Sequence, residues 1–327
     1  MLKNIAIVAG GDSSEVVVSL KSASGIYSFI DKDKFNVFVV IITGKKWSVK
    51  ISEDLEIDID KNDFSFQYNN SKINFDFAYI TIHGTPGENG ILQGYFELTG
   101  IPYSACGVLA SALTFNKFFC NQYLKGFDIN IAESIVLRKN SIINNEDIIQ
   151  VTSLPCFVKP NVGGSSFGVT KVKSADDLLP AITKAFQEGN EVIIEAFMPG
   201  TEITCGMYKT DEKTVVLPVT EVVPHNEFFD FDAKYKGQVE EITPARIGEE
   251  LTQKVQNLTA RIYELLGCKG IVRIDYIITE GKKINLLEVN TTPGMTETSF
   301  IPQQVHAAGL SMKEVLTEII ANELKNH

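Results

Sequence analysis

Several common signals are missing from this chain of 327 residues, and each absence excludes a class of protein. No apolar run approaches the roughly 20 residues that a membrane-spanning helix needs. The opening residues, MLKNIAIVAGGDSSE, reach acidic side chains too soon for a signal peptide. The 30 basic residues are outnumbered by 41 acidic ones, for a net charge of −11, so nucleic acid and anionic membranes are not expected as partners. We therefore predict a cytoplasmic protein.

Cysteine is also scarce, and its five copies form no C-x-x-C pair. An odd number of scattered cysteines is typical of reduced core residues in a cytosolic protein rather than of a disulfide framework. A catalytic thiol is the minor alternative, because no cysteine has a histidine nearby in the sequence. The five are Cys106, Cys120, Cys156, Cys205 and Cys268.

The N-terminal third alternates between strand and helix patterns. Buried-strand runs occupy 5–11, 35–42 and 76–84, and helical patterns lie at about 14–30 and 91–98. Such alternation predicts a parallel α/β sheet, in which ligands bind at the carboxyl ends of the strands. The pairs Gly10-Gly11 and His83-Gly84 lie at two such ends. From about residue 110 strand pairs replace crossovers, which indicates an α+β structure.

A glycine-rich loop lies in VKPNVGGSSFGVTKV, residues 158–172. Backbone N–H groups in such a loop can cradle a phosphate, but the order is not that of the Walker motif, whose lysine follows the glycines and opens a helix. Here Lys159 precedes the glycines and a strand pattern follows Gly168, which disfavours a conventional kinase. Lys159 lies inside an apolar run, which disfavours its alternative interpretation as a surface lysine.

The segment GIVRIDYIITEGKKINLLEVNTTPGM, residues 270–295, predicts a β-hairpin with a two-residue turn at Gly281-Lys282. This turn pairs Glu280 with Lys283, Asp275 with Glu288, and Arg273 with Asn290, and the last two pairs share one face because side chains alternate. Opposed carboxylates repel each other, so we expect a cation between them, and hard oxygen ligands suit Mg²⁺. The alternative is a different register with both acids in solvent. Arg273 either compensates the acids or stabilises an oxyanion.

The stretch 222–246, VVPHNEFFDFDAKYKGQVEEITPAR, lacks clean periodicity and is long for a connection. Loops of this length are usually lids or binding loops. We predict that residues 224–243 become ordered when ligands bind.

Taken together, six segments resemble the successive signatures of D-alanine–D-alanine ligases. They are GGDSSEVVVS (10–19), HGTPGENGILQG (83–94), VKPNVGGSSFG (158–168), FFDFDAKY (228–235), LGCKGIVRIDY (266–276) and LLEVNTTPGMTETSFIP (286–302). The resemblance implies an ATP-grasp fold, α/β and α+β, with an N-terminal parallel α/β substrate-binding domain over 1–110. A central lobe with the phosphate loop would span 111–200, and a C-terminal lobe with the lid and the metal site would span 201–327.

The resemblance implies ATP-dependent ligation of two D-alanine molecules through an acyl phosphate, for peptidoglycan precursor synthesis. It assigns ATP binding to Lys117, Lys159, Ser165, Ser166, Glu195, Phe197, Met198, Glu202 and Lys234. It assigns two Mg²⁺ or Mn²⁺ ions to Asp275, Glu288 and Asn290. Without it, Phe197 and Met198 would be interpreted as core residues.

For substrate, the resemblance implies that Glu15 binds the ammonium of the first D-alanine and forms a network with Ser165 and Tyr235. Tyrosine at the last position accompanies dipeptide rather than ester formation in the family. Arg273 and the Gly294 N–H group match the oxyanion stabilisers, Ser299 and Phe300 match contacts to the second substrate, and His83 lies in the first-substrate site. Glu15 alternatively stabilises a helix N-terminus, and His83 alternatively caps or fills the core.

Four positions depart from the usual family pattern: Val16, Val17, Asn116 and Ala196. None is a proposed catalytic group. The resemblance also implies a homodimer that acts on small molecules. The alternatives are a D-alanine–D-lactate ligase, another carboxylate–amine ligase, and a nucleotide-binding protein without turnover.

Overall fold

A computed structural model describes residues 2–164, 167–224 and 239–326. Its first part contains the following elements in chain order: β1 (Lys3–Gly10), α1 (Val16–Phe29), β2 (Phe35–Thr43), β3 (Lys46–Lys50), β4 (Glu56–Asp58), β5 (Ser65–Tyr68), β6 (Ser71–Asn74), β7 (Phe77–Ile80), α2 (Ile91–Thr99), α3 (Val108–Phe115) and α4 (Lys117–Lys125).

The first sheet has the strand order β4-β3-β2-β1-β7. Its centre is parallel, as predicted, because β1 pairs with both β2 and β7 in the parallel sense. β1 is almost wholly buried from Ile5 onward. The loops that follow β1 and β7 therefore leave the same edge of the sheet, and they carry Glu15 and His83 toward each other. The two antiparallel strands β3 and β4, which extend the sheet beyond β2, and the separate hairpin β5–β6 were not predicted.

The middle of the chain forms a second, antiparallel sheet with the order β10-β9-β11-β8. Its elements are β8 (Ser134–Arg138), α5 (Asn145–Thr152), β9 (Cys156–Pro160), β10 (Thr170–Val172), α6 (Leu178–Ala185) and β11 (Glu191–Ala196). The helices α5 and α6 cover one face, where they bury an apolar cluster that includes Ile148, Val158 and Ile182. The opposite face carries Lys159 and Glu195.

The third sheet has the order β15-β14-β12-β16-β17, with β13 paired to β12. Its elements are β12 (Gly200–Lys209), β13 (Thr214–Val216), β14 (Thr220–Pro224), β15 (Val239–Ile242), α7 (Glu249–Leu265), β16 (Val272–Thr279), β17 (Lys283–Asn290), α8 (Phe300–Ala307) and α9 (Met312–Lys325). The ends of the irregular stretch 222–246 are thus strands, and 225–238 lies outside the described residues.

The hairpin β16–β17 forms with the predicted pairs Asp275–Glu288 and Arg273–Asn290, but its turn differs from the prediction. Thr279 rather than Glu280 pairs with Lys283, so the turn has one more residue than expected. An irregularity beside Asp275 and Tyr276 shifts the register back by one residue. The prediction of a Glu280–Lys283 pair is therefore wrong, and two compensating shifts leave the acidic pair in place.

The apolar cores join distant parts of the chain. The C-terminal helices α8 and α9 pack with α1 and β1 in one cluster, which includes Ile26, Ile301 and Ile319. A second cluster joins α4 to the third sheet through Leu124 and Leu286. The first, second and third sheets fall within 1–110, 111–200 and about 200–327. The apolar clusters cross these predicted domain limits, however, and the division into three domains stays a proposal. All five cysteines are free, and only Cys268 is not buried.

Candidate active site

Two adjoining cavities open between the three sheets. The larger, of about 680 Å³, lies between the second and third sheets. The smaller, of about 380 Å³, lies between the N-terminal sheet and the loop 291–299. Seven residues line both cavities and mark where they meet: Glu15, Phe115, Lys117, Gly163, Gly164, Glu288 and Phe300.

A buried ion pair forms one wall of the larger cavity. Lys159 Nζ lies 2.6 Å from Glu195 Oε2, and both side chains are at most about a tenth exposed. β9 and β11 pair so that Lys159 lies opposite Ile193 and Phe157 opposite Glu195, which puts both charged side chains on one face. Burial lowers the pKa of Lys159, but the negative charges of Glu195 and Glu288 outweigh burial and raise it. Lys159 is therefore a fixed cation inside the cavity.

Aromatic rings form the far end of the same cavity. The rings of Phe157 and Phe197 lie 6.0 Å apart at 54°. Lys171, on β10, has its Nζ atom 4.1 Å from the centre of the Phe197 ring. Met198 also lines this end. The apolar faces of these two rings can accept a heteroaromatic ring.

The glycine-rich loop spans the junction between the cavities. Lys117, at the start of α4, donates from Nζ to the Gly163 carbonyl oxygen at 2.5 Å. Asn116 caps the helix by accepting from the Phe119 N–H group at 3.0 Å. A Cβ atom on Gly164 would lie 3.0 Å from Glu15 Oε1, so glycine lets the loop backbone approach that carboxylate closely.

Asp275 is the centre of the acidic face of the hairpin. Arg273 donates to it twice, from Nε to Oδ1 and from Nη2 to Oδ2, both at 2.8 Å. Thr204 Oγ1 donates to Oδ1 at 2.6 Å, and Asn290 Nδ2 donates to Oδ2 at 3.0 Å. Burial lowers the pKa of Arg273, but the nearby carboxylates of Asp275, Glu288 and Glu202 outweigh burial and raise it.

Glu288 lies opposite Asp275 across the hairpin and forms an ion pair with a different basic residue, Lys117. Its Oε2 atom lies 3.6 Å from Lys117 Nζ. The expected repulsion between the two acids is therefore compensated by protein cations, Arg273 on one side and Lys117 on the other. This arrangement corrects the inference that only a bound cation explains the opposed pair.

Around the smaller cavity, the N-terminal sheet contributes Glu15, His83 and Glu88. Glu15 is 4% exposed, and His83 Nε2 shares a hydrogen bond of 3.1 Å with Ser22 Oγ. Burial and the charge of Arg273 lower the pKa of His83 to about 4, so its ring is neutral near pH 7. Glu88 Oε2 accepts from the Gly84 N–H group at 2.6 Å. Burial and the charge of Glu15 raise the pKa of Glu88 to about 8.

The opposite wall of the smaller cavity is the loop 291–299 and the start of α8. Ser299 Oγ accepts from the Thr296 N–H group at 3.1 Å and would lie 3.0 Å from a Cβ atom on Gly294. The guanidinium carbon of Arg273 lies 5.3 Å from the centre of the Phe300 ring. The guanidinium and the Gly294 backbone therefore lie beside the same cavity.

Most of the predicted site residues line these two cavities. The described ones are Glu15, His83, Lys117, Lys159, Glu195, Phe197, Met198, Glu202, Arg273, Asp275, Glu288, Asn290, Gly294, Ser299 and Phe300. The predictions for Ser165, Ser166, Lys234 and Tyr235 lie outside the described residues. Three further lining residues were not predicted from the sequence: Thr204, Glu241 and Glu88, the last of which lies inside the segment HGTPGENGILQG.

The described ranges show neither a cluster of three metal-binding side chains nor a membrane-spanning helix. Within 2–164, 167–224 and 239–326, no three side chains of His, Cys, Asp or Glu group as a metal site. The predicted metal set is of a different kind, with two acids and one amide. No helix in the described part of the chain combines the length and apolarity of a membrane span.

Known proteins resemble the chain over its whole length. The family models "D-ala D-ala ligase N-terminus" and "D-ala D-ala ligase C-terminus" match residues 4–106 and 123–321. A D-alanine–D-alanine ligase of Bacteroides fragilis is 65% identical over 323 residues, which cover 99% of this chain and 100% of the relative.

Solved structures agree with the sequence relatives. The VanG D-Ala:D-Ser ligase of Enterococcus faecalis is 32% identical to this chain, with a TM-score of 0.85. The match covers 99% of this chain and 100% of the VanG chain. The D-alanine–D-alanine ligase of Bacillus anthracis complexed with ATP is 29% identical to this chain, with a TM-score of 0.79. The match covers 99% of this chain and 98% of the B. anthracis chain.

The fold and the site define an ATP-grasp ligase, and the predicted fold class is confirmed. The chain belongs to the D-alanine–D-alanine ligase family, as its six segments predicted.

Proposed function

We propose that the chain ligates two D-alanine molecules to D-alanyl-D-alanine, with ATP converted to ADP and phosphate. One observation carries the proposal: a cavity with buried cations and an aromatic wall meets a second, smaller cavity at Glu15, Lys117 and Glu288. Two reactants can thus approach each other from opposite sides of that junction. The B. fragilis relative, named D-alanine–D-alanine ligase, supports the same activity.

ATP fits the larger cavity by chemistry. The ring pair Phe157 and Phe197 would hold the adenine, and Glu202 at the cavity wall would accept from the ribose hydroxyls. Lys159 and Lys117 supply positive charge toward the phosphates, while the glycine loop supplies N–H donors. Ser165, Ser166 and Lys234 are proposed to add further phosphate contacts.

Magnesium or manganese ions would be held by Asp275, Glu288 and Asn290. Carboxylate and amide oxygens are hard ligands, and a few of them suit Mg²⁺, which keeps places for phosphate oxygens. When bound, the ions would neutralise charge on the transferring phosphoryl group. Both oxygens of Asp275 accept hydrogen bonds in this structure, so Arg273 must share this carboxylate or turn toward the substrate when the ions bind.

In the smaller cavity, Glu15 would bind the ammonium of the first D-alanine, whose carboxylate then faces the γ-phosphate. Attack of that carboxylate gives an acyl phosphate. The amine of the second D-alanine attacks its carbonyl carbon, and Arg273 with the Gly294 N–H group stabilises the oxyanion. Ser299 and Phe300 would contact the second substrate, and His83 is a neutral wall of the first-substrate site. Ser165 and Tyr235 are proposed to close the network with Glu15.

The test incubates the protein with ATP, Mg²⁺ and D-alanine and identifies the product by mass. We expect D-alanyl-D-alanine with stoichiometric ADP and phosphate, and no phosphate release without D-alanine. ATP binding without D-alanine-dependent phosphate release would instead identify a nucleotide-binding protein without turnover. Parallel reactions with D-lactate or D-serine as second substrate distinguish related ligases. We further propose that the protein is cytoplasmic and that it forms a homodimer. Analytical ultracentrifugation tests the dimer.

A further inference from the structure

An acidic side chain that the predicted site does not include, Glu241, lines the smaller cavity. The register of the third sheet fixes its direction. Glu241 pairs with Val222, which in turn pairs with Glu202. Thr204, two residues beyond Glu202 on β12, pairs with Asp275. Since directly paired residues and alternate residues share a face, Glu241 lies on the face that carries Asp275.

A hydrogen bond holds Glu241 in place. Gln303, in the first turns of α8, donates from Nε2 to Glu241 Oε2 at 2.6 Å and to the Thr298 carbonyl oxygen at 2.7 Å. The carboxylate is therefore tied to the loop that precedes Ser299, at the end of the cavity where Arg273 and Phe300 lie. Burial raises the pKa of Glu241, although the Gln303 hydrogen bond and the Arg273 charge oppose the effect.

The other carboxylates around this cavity have different positions. Glu88 accepts from the Gly84 N–H group, Glu288 pairs with Lys117, and Glu15 lies against Gly164. Besides Arg273, the titratable side chains lining the cavity within the described ranges are Glu15, Lys21, His83, Glu88, Lys117 and Glu288. Glu241 is connected through Gln303 to the loop that leads to Ser299.

The proposed reaction needs a proton acceptor at that end. An amino acid reaches the site as an ammonium ion, whose nitrogen has no lone pair and cannot attack a carbonyl. We propose that Glu241 binds the ammonium of the second amino acid and takes the proton that its nitrogen must lose. This inference rests on the proposed ligation.

The attacking nitrogen loses two protons, one to Glu241 and one to the departing phosphate. The ammonium transfers one proton to the Glu241 carboxylate, and the freed lone pair forms the C–N bond to the acyl-phosphate carbon. The C–O bond to phosphate then breaks, and the departing phosphate carries that electron pair and accepts the second proton from nitrogen. The products are the dipeptide, hydrogen phosphate and a neutral Glu241 side chain, which returns its proton to solvent.

Glu241→Gln separates this role from a structural one. The glutamine keeps an oxygen that accepts from Gln303, so the tie to α8 is retained, while the proton acceptor is lost. We expect dipeptide formation near neutral pH to fall about a hundredfold, within the range of general-base contributions. The deficit should shrink as pH rises, because the free ammonium then deprotonates in solution. KM for the second D-alanine should increase while KM for the first is unchanged. Glu240→Gln, on the exposed opposite face, is the matched control and should behave as the wild type.

Hydroxylamine gives a second readout, because it is largely uncharged at neutral pH and needs no base to attack the acyl phosphate. Glu241→Gln should form D-alanine hydroxamate at the wild-type rate while its dipeptide rate falls. Equal loss of both products, or a deficit that does not change with pH, would overturn the proposal, and so would wild-type dipeptide rates. If the wild type itself made no dipeptide from D-alanine, the proposed ligation would fail instead, independently of the variant.

Discussion

At the residue scale, Asp275 shows how contacts change an expectation based on charge alone. Two opposed carboxylates predict repulsion, and removal of one would then stabilise the ligand-free protein. In the structure Asp275 instead accepts from Arg273, Thr204 and Asn290. Loss of its charge leaves a buried guanidinium without its main partner, which costs free energy.

We therefore predict that Asp275→Asn abolishes ligation and also lowers the free energy of unfolding without ligands, by about 1–3 kcal/mol. Glu288→Gln should reduce ligation about a hundredfold or more with a smaller effect on stability, since the Lys117–Glu288 distance is 3.6 Å. Urea unfolding and phosphate release measure the two effects. Glu280→Gln, at the exposed tip of the same hairpin, is the control. Near-normal turnover of either site variant would disprove the assigned role of the acidic pair.

Glu88 gives a prediction with a defined pH window. Its folded-state pKa is raised to about 8 from an ordinary value of 4.5, so protonation favours the folded state. The stabilisation is complete below pH 4.5 and is lost as pH rises toward 8. Glu88→Gln keeps an acceptor for the Gly84 N–H group and does not titrate.

Relative to Glu88→Gln, the wild type should lose stability between pH 5 and 8, by no more than about 1.4 kcal/mol per pH unit, and the difference should level off above 8. Urea unfolding of both proteins at several pH values tests this. A constant difference across the range would show that Glu88 titrates normally.

At the element scale, patterns within one segment were predictable and contacts between segments were not. The buried strands β1, β2 and β7 and the helices α1 and α2 follow from apolar runs and helical spacing. The Asp275–Glu288 pair was found because side chains alternate along strands. The predicted length of the turn was wrong, however. No local sequence pattern indicates either the extra turn residue or the compensating irregularity in β17.

The missed hairpin β5–β6 did carry a local signal. Its turn residues Asn69 and Asn70 both have positive φ, of 49° and 58°, and paired asparagines tolerate this conformation better than most residues do. Glu241 carried no such signal. Its place in the cavity depends on the pairing of β15 with β14 and on Gln303 from α8, contacts that sequence spacing does not encode.

Helix α1 positions the loop that carries Gly294. A Cβ atom on Gly25 would lie 2.0 Å from the Met295 carbonyl oxygen, so a larger residue must displace the helix or the loop. We predict that Gly25→Ala lowers stability by about 1–3 kcal/mol and reduces ligation through the displaced Gly294 and Ser299.

Gly94→Ala is the matched control, because its Cβ would meet only Val108 at 3.8 Å. Within α2 this change should be neutral or stabilising, by up to about 1 kcal/mol. Thermal unfolding and initial rates of phosphate release compare the two variants. Equal behaviour of both would mean that the close approach of α1 to the loop is not required.

At the scale of the whole molecule, the active site depends on packing between distant segments. α9 and α8 pack against α1 and β1, which holds the loop 291–299 against the N-terminal sheet. α4 packs against the third sheet, which brings Lys117 to Glu288. The junction of the two cavities is thus assembled from all three sheets, and the order of segments along the chain does not reveal it.

The central claim is that a D-alanine carboxylate attacks ATP at this junction to form an acyl phosphate. Oxygen transfer tests it directly: D-alanine labelled with ¹⁸O in both carboxylate oxygens is incubated with the protein, ATP and Mg²⁺, and the phosphate is analysed by mass spectrometry. The account predicts one ¹⁸O atom in each phosphate released, together with D-alanyl-D-alanine and ADP. Unlabelled phosphate would contradict it, because the phosphate would then have formed without a bond to the D-alanine carboxylate.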